Sequence, residues 1–206
     1  LGEVETLSAQ EIRARLGTIL MEPDGFKDLY DGGVIQYLIP ELADLENYHQ
    51  NLEYHPEGTV YNHYCEAFNT YCANPERTEM GAWALLFHDF AKTIVAVWKE
   101  NEQHHTFHRH ETVGGEIFAE KYRKGPIFFT QDEADTLHWV IRQHTNFYRV
   151  ARHQKSLAIA HHPDFDLLCE VTKADCMRTN WEFHEERKDY FSTLRDAFPL
   201  YEHTLI

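Results

Sequence analysis

The sequence predicts an all-α protein, a globular bundle of helices. Apolar residues recur at helical spacing along most of the chain, and only the short stretch 127–129 hints at a strand. Capping-box pairs, in which Ser or Thr precedes Glu by three positions, mark helix starts at Ser8 and Thr130. Proline and glycine residues interrupt the pattern where turns between packed helices are needed. These three observations favour helices packed on helices over any sheet architecture.

The elements follow in order from these signals. The first helix begins at Ser8 and ends before Pro23, and a short amphipathic piece follows it. The next helical segment covers residues 34–45 and is interrupted by Pro40, whereas the polar stretch 47–58 is predicted to be a loop. Six further helices are predicted at about 59–73, 78–98, 110–124, 131–146, 164–179 and 183–197.

The size and composition indicate one cytoplasmic, globular unit. A chain of 206 residues, 43% of them hydrophobic, can bury a proper core without disulfides. We predict an N-terminal helical arm over residues 1–46 and a helical domain over residues 47–206, packed as one unit. No apolar run approaches the roughly 18–20 residues of a membrane span, so no membrane association is expected. The four cysteines lie in two pairs without a CxxC motif, which is typical of free thiols in the cytoplasm.

The charge balance limits the partners. Thirty-four acidic and nineteen basic side chains give a formal net charge of −15, which argues against binding along long duplex nucleic acid. Residues 136–163, here called the basic segment, nevertheless contain no Asp or Glu and include Arg142, Arg149, Arg152 and Lys155. The basic segment is either an ordinary solvated face or a rim that attracts an anionic substrate.

Histidine is unusually frequent, with 15 residues in the chain. The apolar stretch 85–92 contains His88 and Asp89 side by side, and burying both is unfavourable unless they are paired or bind a metal ion. Four more residues of these types lie on apolar helical faces: His63, His110, His144 and Asp175. Imidazole and carboxylate ligands together suit Fe, Mn, Ni, Co or Zn, with Mg as a further candidate. Four of the six residues can hold one such ion: His63, His88, Asp89 and Asp175.

The order His, His-Asp, His, His, Asp resembles that of the HD-domain metal-dependent phosphohydrolases. Within that superfamily, residues 54–63 (YHPEGTVYNH) are similar to the segment that opens the HD domain of bacterial CCA-adding tRNA nucleotidyltransferases. Residues 34–45 (VIQYLIPELADL) are similar to the helical arm that precedes that domain. The resemblance covers about residues 12–190, without a counterpart of that family's nucleotidyltransferase head. It implies a helical bundle of the HD-domain type.

The resemblance also implies a cofactor of one or two divalent transition-metal ions. Asp89 would bridge the first ion to a second one, which His110 and His144 would hold. Asp89 and Lys92 are the predicted catalytic residues. Lys92 follows His88 by four positions, which on one helix would bring its ammonium to a substrate phosphate, and the alternative is a solvent-exposed lysine.

Further substrate contacts are predicted at His108, Arg109 and Arg142. A mobile loop histidine is the alternative for His108, and ordinary surface positions are the alternative for the two arginines. A separate aromatic group either stacks a nucleobase or packs in the core: Trp139, Phe147 and Tyr148.

The function implied by the resemblance is phosphoester hydrolysis by metal-activated water. The related tRNA enzymes favour phosphomonoesterase or 2′,3′-cyclic phosphodiesterase activity on a small phosphoester, a nucleotide, or a tRNA or other RNA 3′ end. One alternative is an HD-domain di-iron oxygenase that acts on a small phosphorylated or phosphonate substrate. The other alternative is a non-catalytic nucleotide-binding module.

Overall fold

The computed structural model describes residues 7–123, 125, 127–149, 153–176 and 181–199, and it confirms the all-α architecture. The α-helices of this part are α1 (Ala9–Leu20), α2 (Gly25–Asp31), α3 (Val34–Leu38), α4 (Val60–Cys72), α5 (Glu79–Phe87), α6 (Lys92–Val95), α7 (His110–Ile117), α8 (Gln131–Tyr148), α9 (His153–Ala160), α10 (Phe165–Asp175) and α11 (Trp181–Ala197). Short 3-10 turns cover Pro40–Leu42 and Leu45–Asn47, and α7 continues as a π-helical turn over Phe118–Tyr122. The strands β1 (Val97–Lys99) and β2 (His104–Thr106) form a small antiparallel sheet.

Helix α5 forms the centre of the bundle. Its sequence is apolar on all sides, which is typical of a helix that other elements surround. Every residue from Gly81 to Phe87 is buried, and α1, α4, α8 and α10 pack against this helix. The Phe87 ring lies edge-on to the rings of Phe90 and Phe118, with centroids 5.4 and 5.1 Å away. The C-terminal end of α5 therefore lies deep inside the protein.

Residues of the predicted N-terminal arm pack against this core. The Phe26 ring on α2 stacks on the rings of Tyr64 and Phe68 on α4, with centroids 5.0 and 5.1 Å away. The Arg13 guanidinium on α1 donates two hydrogen bonds to the carboxylate of Glu133 on α8, at 2.9 and 2.7 Å. These contacts join the arm to α4 and α8, while the domain boundary itself stays a prediction.

The predicted helix at 78–98 is wrong beyond Phe87. Helix α5 ends there, residues 88–91 form a turn, and α6 and β1 follow. The His88 Nδ1 lies 2.6 Å from the carbonyl oxygen of Leu85, the acceptor that the amide of Asp89 would need to continue the helix. The ring of His88 is thus held against the last turn of α5, beside the predicted site.

Other element boundaries also differ from the prediction. Helix α3 ends at Leu38, in agreement with the predicted interruption at Pro40, which has no amide hydrogen to donate, but the segment continues only as short 3-10 turns. Residues 127–129 do not form a strand. The two observed strands and α9 were not predicted, since a three-residue strand is too short to show an alternating pattern. The end of the helix predicted at 164–179 lies outside the described residues.

Two predictions from composition can be compared with the structure. The four cysteines form no disulfide with one another, and Cys65 is partly exposed whereas the other three are buried. Within the described ranges, no helix combines the length and the apolar composition that crossing a membrane requires.

We expect the N-cap of α8 to contribute measurably to stability. The Thr130 Oγ1 accepts a hydrogen bond from the amide of Glu133 at 3.3 Å, and the Glu133 carboxylate accepts one from the amide of Thr130 at 2.8 Å. Replacing Thr130 by Ala should lower the free energy of unfolding by about 1 kcal/mol, measured by urea denaturation. Thr130→Ser keeps the capping oxygen and should retain most of that stability, so an equal loss in both variants would contradict the capping role.

Candidate metal centre

The fold brings together all six residues that the sequence predicts as metal ligands. They come from four helices and from the turn after α5: His63 on α4, His88 and Asp89 after α5, His110 on α7, His144 on α8 and Asp175 on α10. Their ligand atoms form two groups that share Asp89, and within each group these atoms lie within 4.8 Å of one another. Four of the six residues are at most 2% exposed, so the centre is buried in the middle of the bundle.

The first group surrounds one oxygen of each carboxylate. The Nε2 of His63 lies 3.1 Å from Asp175 Oδ1 and 3.5 Å from Asp89 Oδ2. The Nε2 of His88 lies 3.2 Å from Asp89 Oδ2 and 3.4 Å from Asp175 Oδ1. Two imidazole nitrogens and two carboxylate oxygens therefore face a common point, as the ligands of one divalent ion would.

The second group uses the other oxygen of Asp89. Asp89 Oδ1 lies 2.9 Å from the Nε2 of His110 and 3.5 Å from the Nε2 of His144. The two imidazole Nε2 atoms are themselves only 2.9 Å apart. The carboxylate of Asp89 thus presents one oxygen to each group, which is the arrangement of a ligand that bridges two ions.

The opposite nitrogen of each imidazole is held by the protein. For three of the rings, Nδ1 lies within hydrogen-bond distance of a main-chain carbonyl oxygen three residues earlier: His88 to Leu85 at 2.6 Å, His110 to Phe107 at 2.8 Å and His144 to Ile141 at 2.8 Å. A carbonyl only accepts, so Nδ1 carries the hydrogen and the neutral ring leaves a lone pair on Nε2. The Nε2 atoms of His63 and His88 are buried and have no hydrogen-bond partner among the described residues. These unpartnered atoms fit a metal ion.

The electrostatics of the site also require positive charge at its centre. Burial by itself lowers the pKa of the His88 imidazole, but the carboxylates of Asp89 and Asp175 outweigh burial and raise that pKa to about 10. Burial raises the pKa of the Asp89 carboxyl, but the positive charges of His88 and Lys92 hold it well below its usual range. Protons alone would supply this charge by ionising His88, whereas a divalent ion would supply it with the imidazoles neutral.

Lys92 is buried beside the centre instead of being an exposed lysine. Its ammonium lies 2.6 Å from Asp89 Oδ2 and donates to Gln50 Oε1 at 2.7 Å. The prediction that Lys92 follows His88 by one helical turn is wrong, because the helix is interrupted between them. The turn over residues 88–91 nevertheless directs the ammonium to the same carboxylate.

Sequence reasoning missed Glu57, which supports His63. Its side chain is 1% exposed, and its Oε1 lies 2.8 Å from His63 Nδ1 and 2.9 Å from His55 Nδ1. Burial raises the pKa of the Glu57 carboxyl, but the hydrogen bonds from the two imidazoles outweigh burial and lower it. The segment 54–63 drew attention to this region, but no spacing rule singles out Glu57. Gln50, the partner of Lys92, gave no signal in the sequence.

The predicted substrate contacts lie around the centre rather than in it. His108 and Arg109 are exposed just before α7, and Arg109 has a left-handed backbone with a φ of 66°. Arg142 is partly buried on α8, where its side chain occupies the space beside Gly115 of α7. The roles of these three residues stay predictions.

The other described arginine and lysine side chains of the basic segment are exposed, and the predicted aromatic group packs largely within the bundle. Arg149 and Lys155 are exposed, and Arg152 lies outside the described residues. The Trp139 ring stacks on the ring of His162, with centroids 3.7 Å apart. Phe147 is fully buried, so this group packs largely within the bundle.

Comparison with known proteins gives weak similarity to one kind of protein. No family model matches the chain. The chain is 30% identical over 120 residues, 55% of its own length and 28% of the relative's, to the multifunctional CCA protein of Pasteurella multocida (strain Pm70). It is 25% identical over 197 residues, 88% of its own length and 44% of the relative's, to the multifunctional CCA protein of Hahella chejuensis (strain KCTC 2396). The chain therefore spans less than half the length of these curated relatives, and it is distantly similar to multifunctional CCA proteins.

Proposed function

We propose that this protein is a metal-dependent phosphohydrolase of the HD-domain type, acting on a nucleotide or a nucleic-acid 3′ end. The observation that carries the proposal is the convergence of four imidazole Nε2 atoms on the carboxylates of Asp89 and Asp175, whose side chains are 2% and 12% exposed. Nitrogen lone pairs only 2.9 Å apart, as between His110 and His144, repel each other unless a proton or a metal ion lies with them. A shared proton or a metal ion would relieve this repulsion, and the buried Nε2 atoms of His63 and His88, which have no hydrogen-bond partner among the described residues, favour the metal ion.

The two groups of ligands would hold two divalent transition-metal ions. One ion would be held by His63, His88, Asp89 and Asp175, and the other by Asp89, His110 and His144. When bound, such ions lower the pKa of a water molecule and neutralise the oxygens of a phosphoryl group.

The protein's own residues would position the phosphate. The Lys92 ammonium uses two of its three hydrogens on Asp89 and Gln50, and the third is available to a phosphoryl oxygen. The side chains of His110 and Asp175 are the most exposed of the six ligands, each at 12%, so a substrate would enter from their side. Arg109, exposed and next to His110 in the chain, would attract the phosphate at this opening.

The substrate class rests on two further observations. The curated relatives are multifunctional CCA proteins, which supports a nucleotide or an RNA 3′ end over an unrelated phosphoester. The net charge of −15 opposes the binding of a long nucleic acid along the surface, whereas one phosphate at the end of a strand can reach a local cationic centre.

We expect hydrolysis that depends on Asp89. The full chain would be assayed with added Mn²⁺, Co²⁺, Ni²⁺ or Mg²⁺ on 2′,3′-cyclic AMP, 3′-AMP, 5′-AMP and p-nitrophenyl phosphate. Asp89→Asn keeps the shape of the side chain but removes the bridging charge, and it should reduce turnover at least about 100-fold. Asp166→Asn, which alters an exposed carboxylate on α10, is the matched control and should leave turnover unchanged.

The alternatives give other outcomes in the same experiment. If the metal-loaded protein hydrolyses none of these phosphoesters but consumes O₂ once it is loaded with iron, a di-iron oxygenase is favoured. No turnover by a protein that still binds a nucleotide would favour a binding module.

Metal binding should stabilise the fold, because the ligands come from four helices and an adjacent turn and are assembled only in the folded chain. At a free Mn²⁺ concentration 100 times its Kd, the free energy of unfolding should rise by about 2.7 kcal/mol. Excess EDTA should reverse the increase, as followed by urea denaturation. An unchanged unfolding curve with Mn²⁺, Co²⁺, Ni²⁺, Zn²⁺ and anaerobic Fe²⁺ would contradict the metal assignment.

Glu57 should strengthen metal binding through His63, because its carboxylate fixes the orientation of the ring and makes Nε2 a stronger metal ligand. Glu57→Gln is expected to weaken Mn²⁺ binding about 10- to 100-fold, measured by isothermal titration calorimetry. Glu53→Gln changes an exposed carboxylate in the same loop and should bind Mn²⁺ as the unmodified protein does. Equal affinities in both variants would show that Glu57 has only a structural role.

A further inference from the structure

Three aromatic rings form a row on one face of the small sheet, and this row leads outward from the candidate metal centre. His105 on β2 and Phe107 just after it are two positions apart, so their side chains lie on the same face. Trp98 on β1 lies directly opposite His105 in the strand register. The ring centroids are 4.9 Å apart between Trp98 and His105, and 6.1 Å apart between His105 and Phe107. We call these three residues the aromatic strip.

The inner end of the aromatic strip adjoins the candidate metal centre. The Lys92 ammonium lies 5.4 Å from the centroid of the Phe107 ring, while the same ammonium contacts Asp89 at 2.6 Å. One lysine thus touches both the bridging carboxylate and the first ring of the strip. A molecule with its phosphate at Lys92 would find aromatic surface immediately beside it.

The outer end of the aromatic strip is open. The side chain of Trp98, on the same face as His105, is 39% exposed. The backbone of β2, which carries His105, is held in place because the amide of His105 donates a hydrogen bond to the carbonyl oxygen of His49 at 2.8 Å. Burial and the nearby imidazoles of His49 and His104 outweigh the contact with the His49 backbone and lower the pKa of His105. The strip therefore runs from Phe107, which packs against the core, to the exposed ring of Trp98.

We propose that the aromatic strip of Trp98, His105 and Phe107 binds the planar base of a nucleotide whose phosphate lies at Lys92. The inference rests on the proposed function and names the part of the substrate that the metal centre does not contact. A base has an apolar planar face, and stacking on aromatic side chains is the usual way in which proteins bind unpaired bases. Stacking accepts every base, so the strip would favour a nucleotide over a phosphoester without a base while distinguishing little among the four bases.

The test compares the affinities of a nucleotide and its base-free counterpart. Phosphonate analogues of AMP and ribose 5-phosphate, in which a methylene group replaces the ester oxygen and prevents hydrolysis, would be titrated into the full chain with Mn²⁺ present, using isothermal titration calorimetry. The AMP analogue should bind at least about tenfold more tightly than the ribose 5-phosphate analogue. Trp98→Ala should reduce the ratio of the two affinities about tenfold, and Trp98→Phe, which keeps a ring, should keep the ratio within about threefold of the original.

Trp181→Ala is the matched control, since Trp181 on α11 is 37% exposed, nearly the same as Trp98. It should leave the ratio unchanged. A ratio near one in the unmodified protein, or a ratio that Trp98→Ala does not alter, would overturn the proposal.

Turnover measured in parallel separates this inference from the proposed function. Hydrolysis without tighter binding of the nucleotide would refute the binding role of the aromatic strip but not the proposed phosphohydrolase activity. A base-dependent affinity without hydrolysis would keep the strip and refute the phosphohydrolase.

Discussion

The buried carboxylate of Asp89 is the interaction on which the arrangement of the site depends. One of its oxygens faces His63, His88 and Lys92, and the other faces His110 and His144. An ionised group at 2% exposure is stable only when positive charge surrounds it, and these contacts supply that charge from several parts of the chain. Helices α4, α7 and α8 must therefore meet at the end of α5, since each one contributes a side chain that Asp89 requires.

The end of α5 shows how one residue serves both the helix and the site. The His88 ring lies against the carbonyl oxygen of Leu85 in the last turn of α5, and the turn that follows directs Asp89 and Lys92 to the same place. The same hydrogen bond fixes the tautomer of His88 and leaves its Nε2 as a potential ligand. A single contact thus prepares the ring for coordination at the point where the helix ends.

Much of the site could be predicted from the sequence, because its ligands lie on apolar faces of long helices. The positions of His63, His144 and Asp175 follow from helical periodicity, and the structure brings them together. Gln50 and Glu57 could not be found in this way, since they belong to an irregular segment whose conformation depends on contacts with distant residues. The turn after Phe87 was missed because the apolar pattern continues beyond it, and no proline or glycine between residues 85 and 98 marks the end of a helix.

The segment between α3 and α4 has little regular structure, yet it is tied at several points to the rest of the site. The main chain of His49 pairs with His105 on one side and with Thr59 on the other, and Gln50 and Glu57 hold Lys92 and His63. Surface loops usually tolerate insertions and deletions during evolution. Between Gln50 and Glu57 this loop should tolerate fewer changes of length, because its two ends hold a lysine and a candidate ligand of the same site.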